Sequence, residues 1–341
     1  MHLALLGYYG FENQGDEAIL AALLEGIARE DPSVRVTVLS HDPGATSRVH
    51  GVESVERRIP NLRRLMTRAD ALVFGGGSLL QDVTSQKSLL FYLTCMGMSL
   101  PRPVAWVAQG IGPLTRPWGR RAVAAAAQRL RYLSVRDTIS RDLLVACGVD
   151  PARIRVTVDP VFGFEPVPKA PPEKAPCLGV APRPFGDGRW VEPFTRSLAE
   201  LSRQGARIEL VCMRPPEDLP LCRKIAGDLG DVPVILGTIP VLRQRVASFT
   251  AMIGVRLHAL IFAAVEGVPW VGVRYDPKID GLRDRLGAGA VVGESELGPE
   301  QLVPVVKRSQ LERDRMLRRS AELRVLAREE IRALLAAVGR P

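Results

Sequence analysis

The sharpest chemical pattern in the sequence is Arg256-Leu257-His258, which follows the apolar run Ala251–Ile253. A wholly apolar helical stretch, Ala259–Val265, comes directly after it, so we expect His258 at the N-terminus of a buried helix. A histidine in that position, beside an arginine, can act as a general acid or base. It can equally be a capping or packing histidine, and the pattern alone leaves both interpretations open.

Three more cations follow predicted strands, where ligands of parallel sheets commonly bind. Arg136 comes after the strand 132–135, Arg183 is held between two prolines, and Lys278 is one of only six lysines in the chain. Such side chains can hold carboxylate or phosphate groups, and a guanidinium can do so with two hydrogen bonds. Arg136 can instead pair with Asp137 or Asp142, which is the simpler interpretation for one arginine among forty.

Glycine-rich and polar residues follow the strands of the N-terminal half. Three glycines and a serine, Gly75-Gly76-Gly77-Ser78, are typical of an anion-binding nest, although glycines are also common in plain strand-to-helix turns. Neither G-x-G-x-x-G nor a P-loop is present, so dinucleotide binding has little support. The candidate ligand-binding residues in this half are Asn13, Asp16, Gly76, Gly77, Ser78, Gln81, Gln109, Arg136 and Asp159.

Short apolar strands alternate with amphipathic helices along most of the chain, which predicts parallel sheets covered on both faces. The alternation stops at residues 166–176, a proline-rich segment that is typical of a linker, and then begins again. We therefore predict two Rossmann-like domains, at residues 1–165 and 177–300, with ligands bound in the cleft between them. The tail 299–338 is predicted to form one or two long helices.

The composition of the 341-residue chain excludes several classes of protein. With 46% apolar and 24% charged residues it is not a disordered chain. Its five cysteines and four histidines have no metal-ligand spacing, so we expect reduced thiols and no metal site. No signal peptide pattern and no apolar run of membrane-spanning length is found, so we expect a cytoplasmic protein.

The net charge of +9 comes almost entirely from arginine, and two stretches concentrate it. Residues 57–69 and 114–133 each hold five arginines and no acid. They could contact anionic lipid headgroups, or they could be solvated helix faces. No nucleic-acid-binding module is present, so we do not expect a nucleic acid partner.

Seven segments together resemble the polysaccharide pyruvyl transferase family. They occur in family order and at predicted strand ends: Gly7-Tyr8-Tyr9-Gly10 with Asn13-Gln14-Gly15-Asp16-Glu17, Gly75–Asp82, Gln109–Pro113, Val135-Arg136-Asp137, Val158-Asp159-Pro160, Arg256-Leu257-His258 and Asp276-Pro277-Lys278. No one segment is diagnostic, but the ordered set is specific.

The resemblance implies a GT-B type fold whose C-terminal helix, about residues 315–341, crosses back to the first domain. It implies transfer of pyruvate from phosphoenolpyruvate onto a sugar as a cyclic ketal, with release of phosphate and no metal or dissociable cofactor. The implied acceptor is a lipid-diphosphate-linked saccharide of cell-wall or exopolysaccharide synthesis, and pyruvylated wall glycan anchors S-layer proteins. In this scheme His258 and Arg256 are catalytic, and Arg136, Arg183 and Lys278 help to hold the anionic donor.

Two other functions compete with this one. A glycosyltransferase of the same fold would use a nucleotide sugar, and it predicts an acidic pair near the nucleotide in the second domain. A non-catalytic scaffold of a wall-synthesis complex would not respond to phosphoenolpyruvate at all.

Overall fold

The computed structural model describes residues 1–83, 85–99, 101–168 and 175–339. The chain divides into two compact units. The first comprises Met1–Phe11, Asp16–Gly163 and Arg324–Pro341, and the second comprises Glu12–Gly15 and Phe164–Leu323. Most of the predicted linker, residues 169–174, lies outside the described residues.

The described part of the first unit contains a seven-stranded parallel sheet with helices on both faces. Its strands are β1 (His2–Leu6), β2 (Arg35–Ser40), β3 (Glu53–Glu56), β4 (Ala71–Gly75), β5 (Val104–Gln109), β6 (Tyr132–Val135) and β7 (Arg155–Val156). Its helices are α1 (Gln14–Glu30), α2 (Pro43–His50), α3 (Ile59–Met66), α4 (Gln86–Ser99), α5 (Pro117–Ala127) and α6 (Thr138–Ala146). Every residue of β1, β4 and β5 is buried, which explains their unbroken apolar character.

The strand order is β3-β2-β1-β4-β5-β6-β7, so the chain reverses its direction across the sheet after β3. Because parallel crossovers are right-handed, this reversal places α1 and α2 on one face of the sheet and α3 to α6 on the other. It also opens the sheet at the carboxyl ends of β1 and β4, where ligands of such sheets bind.

The second unit repeats this plan with six strands among its described residues. They are β8 (Cys177–Ala181), β9 (Arg207–Val211), β10 (Val234–Ile235), β11 (Ala251–Gly254), β12 (Trp270–Val273) and β13 (Ala290–Val292), in the order β10-β9-β8-β11-β12-β13. The helices are α7 (Val191–Arg203), α8 (Pro215–Asp228), α9 (Ile239–Ala247), α10 (Leu257–Val265), α11 (Pro277–Leu286) and α12 (Pro299–Ser309). The last helix, α13 (Arg313–Val338), begins here and contributes its residues from Arg324 onward to the first unit.

The predicted fold class of two Rossmann-like domains is confirmed, and most predicted strands differ from the observed ones by one residue at an end. The sequence pattern also predicts a strand over residues 154–158, and this prediction is wrong in length, because only Arg155–Val156 pairs with β6. The sequence prediction missed β3 and β13. The sequence of β3, Glu-Ser-Val-Glu, is polar because this strand lies at the sheet edge with no fully buried residue.

One buried carboxylate fixes α13 to the first sheet. The carboxylate of Glu330 accepts hydrogen bonds from the Ser134 hydroxyl, from the Tyr132 hydroxyl at 2.8 Å and from Nε of Arg155 at 3.1 Å. Burial raises the pKa of Glu330, although these three donors act in the opposite direction. The C-terminal part of the chain is therefore attached through a specific polar contact to β6 and β7.

Glu330→Ala should lower the free energy of unfolding by about 2–4 kcal/mol, because it leaves three donors without their acceptor. Glu329→Ala is the matched control, because Glu329 is the preceding residue of the same helix and its side chain is exposed. This substitution should lower the free energy of unfolding by less than about 0.5 kcal/mol. The folded-state pKa of Glu330 is above the ordinary value of 4.5, so its contribution to stability is largest below that pH and decreases as the pH rises. Denaturant titrations should thus find a larger cost at acidic than at neutral pH, and equal costs for the two variants would contradict the assignment.

Candidate active site

Arg136 is the central residue at the carboxyl edge of the first sheet. Its side chain, directly after β6, is buried, and its Nη1 donates to Oδ2 of Asp159 at 3.0 Å. Its Nη2 donates to Oγ of Ser78 at 3.1 Å. The structure thus brings together three predicted residues that are far apart in the chain.

The charge of Arg136 is matched by carboxylates. Burial alone would lower its pKa, but Asp159 and Asp137 more than offset this effect and hold the pKa above its ordinary value. Asp137 lies 3.7 Å from Nε, whereas Asp142 pairs with Arg141 at 2.7 Å. Arg136 therefore orders this edge of the sheet, and most of its charge is already balanced within the unit.

Two glycines allow polar groups to meet at this edge. Gly77 has the left-handed φ of +79°, and a Cβ there would lie 3.0 Å from Oδ1 of Asp16. At Gly110, a Cβ would lie 2.8 Å from Oγ of Ser78 and 3.0 Å from Nη2 of Arg136. Side chains at these positions would push the polar groups apart.

Other predicted residues of the N-terminal half form hydrogen bonds with backbone groups of nearby loops. Nε2 of the buried Gln109 donates to the carbonyl oxygens of Phe74 at 2.9 Å and Gly76 at 3.2 Å, so it fixes the glycine turn. Oε1 of Gln81 accepts from the amide of Val83 at 3.0 Å. Oδ1 of Asn13 accepts from the amide of Gly15 at 3.2 Å, where α1 begins.

Arg256 has the corresponding position at the carboxyl edge of the second sheet. Its Nε donates to Oδ2 of Asp218 at 2.9 Å and its Nη2 donates to Oδ1 at 2.6 Å, which is a bidentate pair. Nη2 also contacts Glu217 at 2.8 Å, and Glu217 in turn pairs with Arg214 at 2.5 Å. Two acids from the first turn of α8 are thus bound to two arginines.

The two acids of this network differ in their surroundings. Asp218 is fully buried, and burial raises its pKa even though Arg256 acts in the opposite direction. Glu217 is 40% exposed. Burial acts to raise its pKa, but Arg256, Arg214 and Arg183 together outweigh this effect and lower the pKa. The effect of Arg183 on Glu217 indicates that Arg183 belongs to the same charged region.

Two further cations lie at the ends of neighbouring strands. The guanidinium of Arg183, after β8, lies 4.7 Å from the ring centroid of Tyr275, after β12, in a cation–π contact. Lys278 stands in the first turn of α11, with Nζ 3.6 Å from Oδ2 of Asp276. Because β8, β11 and β12 are adjacent, these side chains share one edge with Arg256.

His258 is half-buried in the first turn of α10, as the sequence predicts, and the helix from Ala259 onward is buried. The N-cap residue of this helix is Arg256, whose side chain makes no capping hydrogen bond. Amide N–H groups at such a helix end favour an anion. The edge thus combines cations, a helix N-terminus and a histidine.

Sequence reasoning missed Arg214, Glu217, Asp218 and Tyr275. Acids in the first turn of a helix are common because they favour the helix dipole, so Glu217-Asp218 gave no distinct signal. The weak signal was position, since α8 follows β9 at the same sheet edge as Arg256.

Asp218→Ala should lower the free energy of unfolding by about 3–5 kcal/mol, because the buried guanidinium of Arg256 loses its bidentate partner. Glu217→Ala removes the same charge one residue away, at a site 40% exposed, and should cost less than about 1 kcal/mol. Tryptophan fluorescence during chemical denaturation can report this unit through Trp190 and Trp270. Equal effects of the two substitutions would mean that the pair does not support the fold.

Comparison with known proteins assigns the family. A model of the family described as polysaccharide pyruvyl transferase matches residues 13–277, a range that contains every predicted site residue except Lys278. The chain belongs to this family. The protein is therefore a transferase of polysaccharide synthesis. No curated protein sequence matches the chain significantly.

Solved structures with a similar fold are distant in sequence. HepE of Anabaena, solved with UDP and glucose, is 14% identical, with a TM-score of 0.64 and 98% of each chain covered. A putative UDP-N-acetylglucosamine 2-epimerase of Listeria monocytogenes is 13% identical, with a TM-score of 0.67, 99% of this chain and 98% of its own covered. The lipopolysaccharide outer core galactosyltransferase WaaB is 14% identical, with a TM-score of 0.56, 98% of this chain and 99% of its own covered. These likenesses establish a GT-B type fold.

Proposed function

We propose that this pyruvyl transferase uses phosphoenolpyruvate as donor and a lipid-diphosphate-linked saccharide of cell-wall or exopolysaccharide synthesis as acceptor. The observation that carries the proposal is the grouping of Arg183, Arg256, His258 and Lys278 at one sheet edge, at the N-terminus of α10. Phosphoenolpyruvate carries a carboxylate and a phosphate on the same carbon, C2, and such a ligand needs several cations within a few ångströms.

The residues suit the two anionic groups in different ways. Arg256 is bound by Asp218, which fixes the direction of its guanidinium and leaves less net charge for a ligand. Arg183 contacts the face of Tyr275, and a guanidinium in such a contact can still donate hydrogen bonds to an anion. We assign the binding of the anionic donor to Arg183, Lys278 and the backbone amides at the start of α10. Arg256, whose orientation is fixed by Asp218, is the fourth group that contacts the donor.

The reaction we propose begins with protonation of the methylene carbon of phosphoenolpyruvate, with His258 as the acid. A sugar hydroxyl attacks C2 and gives a tetrahedral intermediate that still carries phosphate. Loss of inorganic phosphate and attack by a second hydroxyl close the ketal, so one donor and two hydroxyls give one ketal and one phosphate.

The first unit is assigned to the acceptor. Asp16, Ser78, Gly77 and Arg136 form a polar, glycine-lined edge whose charges are nearly balanced, and this suits hydroxyl groups better than a dianion. Asp16 can accept hydrogen bonds from sugar hydroxyls, and the amides after Gly76 can donate them. Gln81, Gln109 and Asp159 hold the loops that shape this edge, and Asn13 holds the turn at the start of α1.

His258→Gln should reduce kcat about 100-fold or more, because general acid catalysis contributes about 10²–10⁴ to rates. His41→Gln, which removes an exposed histidine, is the control and should keep normal turnover. Release of inorganic phosphate from phosphoenolpyruvate, with a panel of lipid-linked acceptors, is the measurement. Near-normal turnover of the His258 variant would exclude it as the acid.

Arg183→Gln should raise KM for phosphoenolpyruvate more than it lowers kcat, because it removes a ground-state anion contact. Arg189→Gln, a highly exposed arginine six residues away, is the matched control and should change neither constant. If the Arg183 variant changes only kcat, the donor does not contact this residue before the reaction.

A glycosyltransferase activity is the second candidate, and one observation favours it. Glu217 and Asp218 form the acidic pair that this alternative predicts in the second domain. Both carboxylates are bound by Arg256 and Arg214, however, so neither is available to a nucleotide ribose in this arrangement. Release of nucleotide from a UDP-sugar, with no phosphate release from phosphoenolpyruvate, would favour this candidate over the first.

A further inference from the structure

The net positive charge of the protein arises in one segment of the first unit. Residues 57–131 hold twelve Lys and Arg but only two Asp and Glu, a net charge of +10, whereas the whole chain carries +9. All other residues together are thus slightly acidic. Cations occur along the whole chain, so the excess arises because residues 57–131 contain very few acids, and this depletion needs a structural explanation.

The segment builds three helices that cover one face of the first sheet. The middle helix, α4, packs against α3 on one side and α5 on the other. Their inner faces supply core residues such as Leu62, Leu89 and Val123, so their outer faces point away from the protein. None of the three helices contains an Asp or Glu. We call the outer surface of α3, α4 and α5 the basic helical face.

Both acids of the segment are already bound. Asp82 is buried and accepts hydrogen bonds from the backbone amides of Thr115 and Arg116, at 2.8 Å each. Oδ2 of Asp70 accepts from the backbone amide of His2 at 2.7 Å. Both carboxylates thus accept hydrogen bonds from backbone amides, and their two negative charges are already included in the segment's net charge of +10.

Exposed cations and exposed apolar side chains alternate on the basic helical face. Arg63 and Arg64 on α3, Lys87 on α4, and Arg120 and Arg121 on α5 are all exposed. Between them Leu90 on α4 is 51% exposed, and Val83 just before α4 is 61% exposed. Arg57 does not belong to this set, since its guanidinium lies 4.8 Å from the Phe91 ring centroid and donates to the Tyr92 hydroxyl.

This combination fits an anionic membrane surface better than a nucleic acid. Phosphate groups of either partner would attract the arginines. Only a lipid surface also has a use for Leu90 and Val83, which can enter the boundary between headgroups and acyl chains. No helix in the described part of the chain could itself cross a membrane.

We propose that the basic helical face is a peripheral docking surface for membranes rich in anionic phospholipid. Arg63, Arg64, Lys87, Arg120 and Arg121 contact the headgroups, and Leu90 enters the interface. This proposal does not depend on the identity of the pyruvyl donor, because membrane binding can be measured with neither the donor nor the saccharide acceptor present.

The test is sedimentation of the purified full-length chain with vesicles of phosphatidylcholine alone or mixed with phosphatidylglycerol. Binding is expected only to the mixed vesicles at about 0.1 M salt, and it should be lost at about 1 M salt, where the Debye length falls to about 3 Å. Arg63→Gln/Arg64→Gln/Arg121→Gln should weaken binding about 100-fold, at about fivefold per cation. The matched control, Arg196→Gln/Arg223→Gln/Arg308→Gln, removes three exposed helical arginines of the second unit and should bind normally.

A second pair of variants tests the apolar contact. Leu90→Gln should weaken vesicle binding about fivefold, as expected for a leucine that is half-exposed before docking. Leu311→Gln, an exposed leucine of the second unit, is its control and should have no effect. The proposal is overturned by no binding to mixed vesicles at low salt, by equal loss in both triple variants, or by tighter binding to a DNA or RNA duplex than to these vesicles.

Discussion

A buried arginine held by a carboxylate organises each sheet at its carboxyl edge. In the first unit Arg136 joins Asp159 and Ser78, and in the second Arg256 joins Asp218 and Glu217. Loops that follow parallel strands have few apolar residues to bury, so they need polar contacts to hold one conformation. These two guanidinium groups provide such contacts, and Gly110 leaves room for Arg136, since a Cβ there would lie 3.0 Å from its Nη2.

The two edges differ in how much of their charge is balanced, and this difference separates their roles. Arg136 faces Asp159, Asp137 and Asp16, so little positive charge remains for a ligand. The second edge adds Arg183 and Lys278 to a pair that is already matched, and it has the open N-terminus of α10. Under the proposed function, the hydroxyl-rich acceptor would bind at the first edge, where carboxylates outnumber the single arginine, and the anionic donor would bind at the second edge, where Arg183 and Lys278 add positive charge.

Much of the fold could be predicted from the sequence. Central strands such as β4 and β5 are buried on both faces, so their sequences are nearly continuous apolar runs. The edge strand β3 could not, since half-exposed residues carry no such pattern. The location of His258 followed from an apolar helix directly after a strand. The partner of Arg256 did not follow, because Asp218 is 38 residues away and its sequence context is that of an ordinary helix start.

Because residues 57–131 carry a net charge of +10 and all other residues together are slightly acidic, the charge of the protein is distributed unevenly. Net charge is usually used to anticipate solubility, but it describes such a molecule poorly. At a pH where the net charge of the protein is zero, the α3–α5 surface is still positive and the remainder of the protein is negative. At that pH the positive surface of one copy would attract a negatively charged surface of another. Ionic strength rather than pH would then govern their association. On a cation exchanger the protein would be held through one surface and in one orientation, with the opposite surface open to solution.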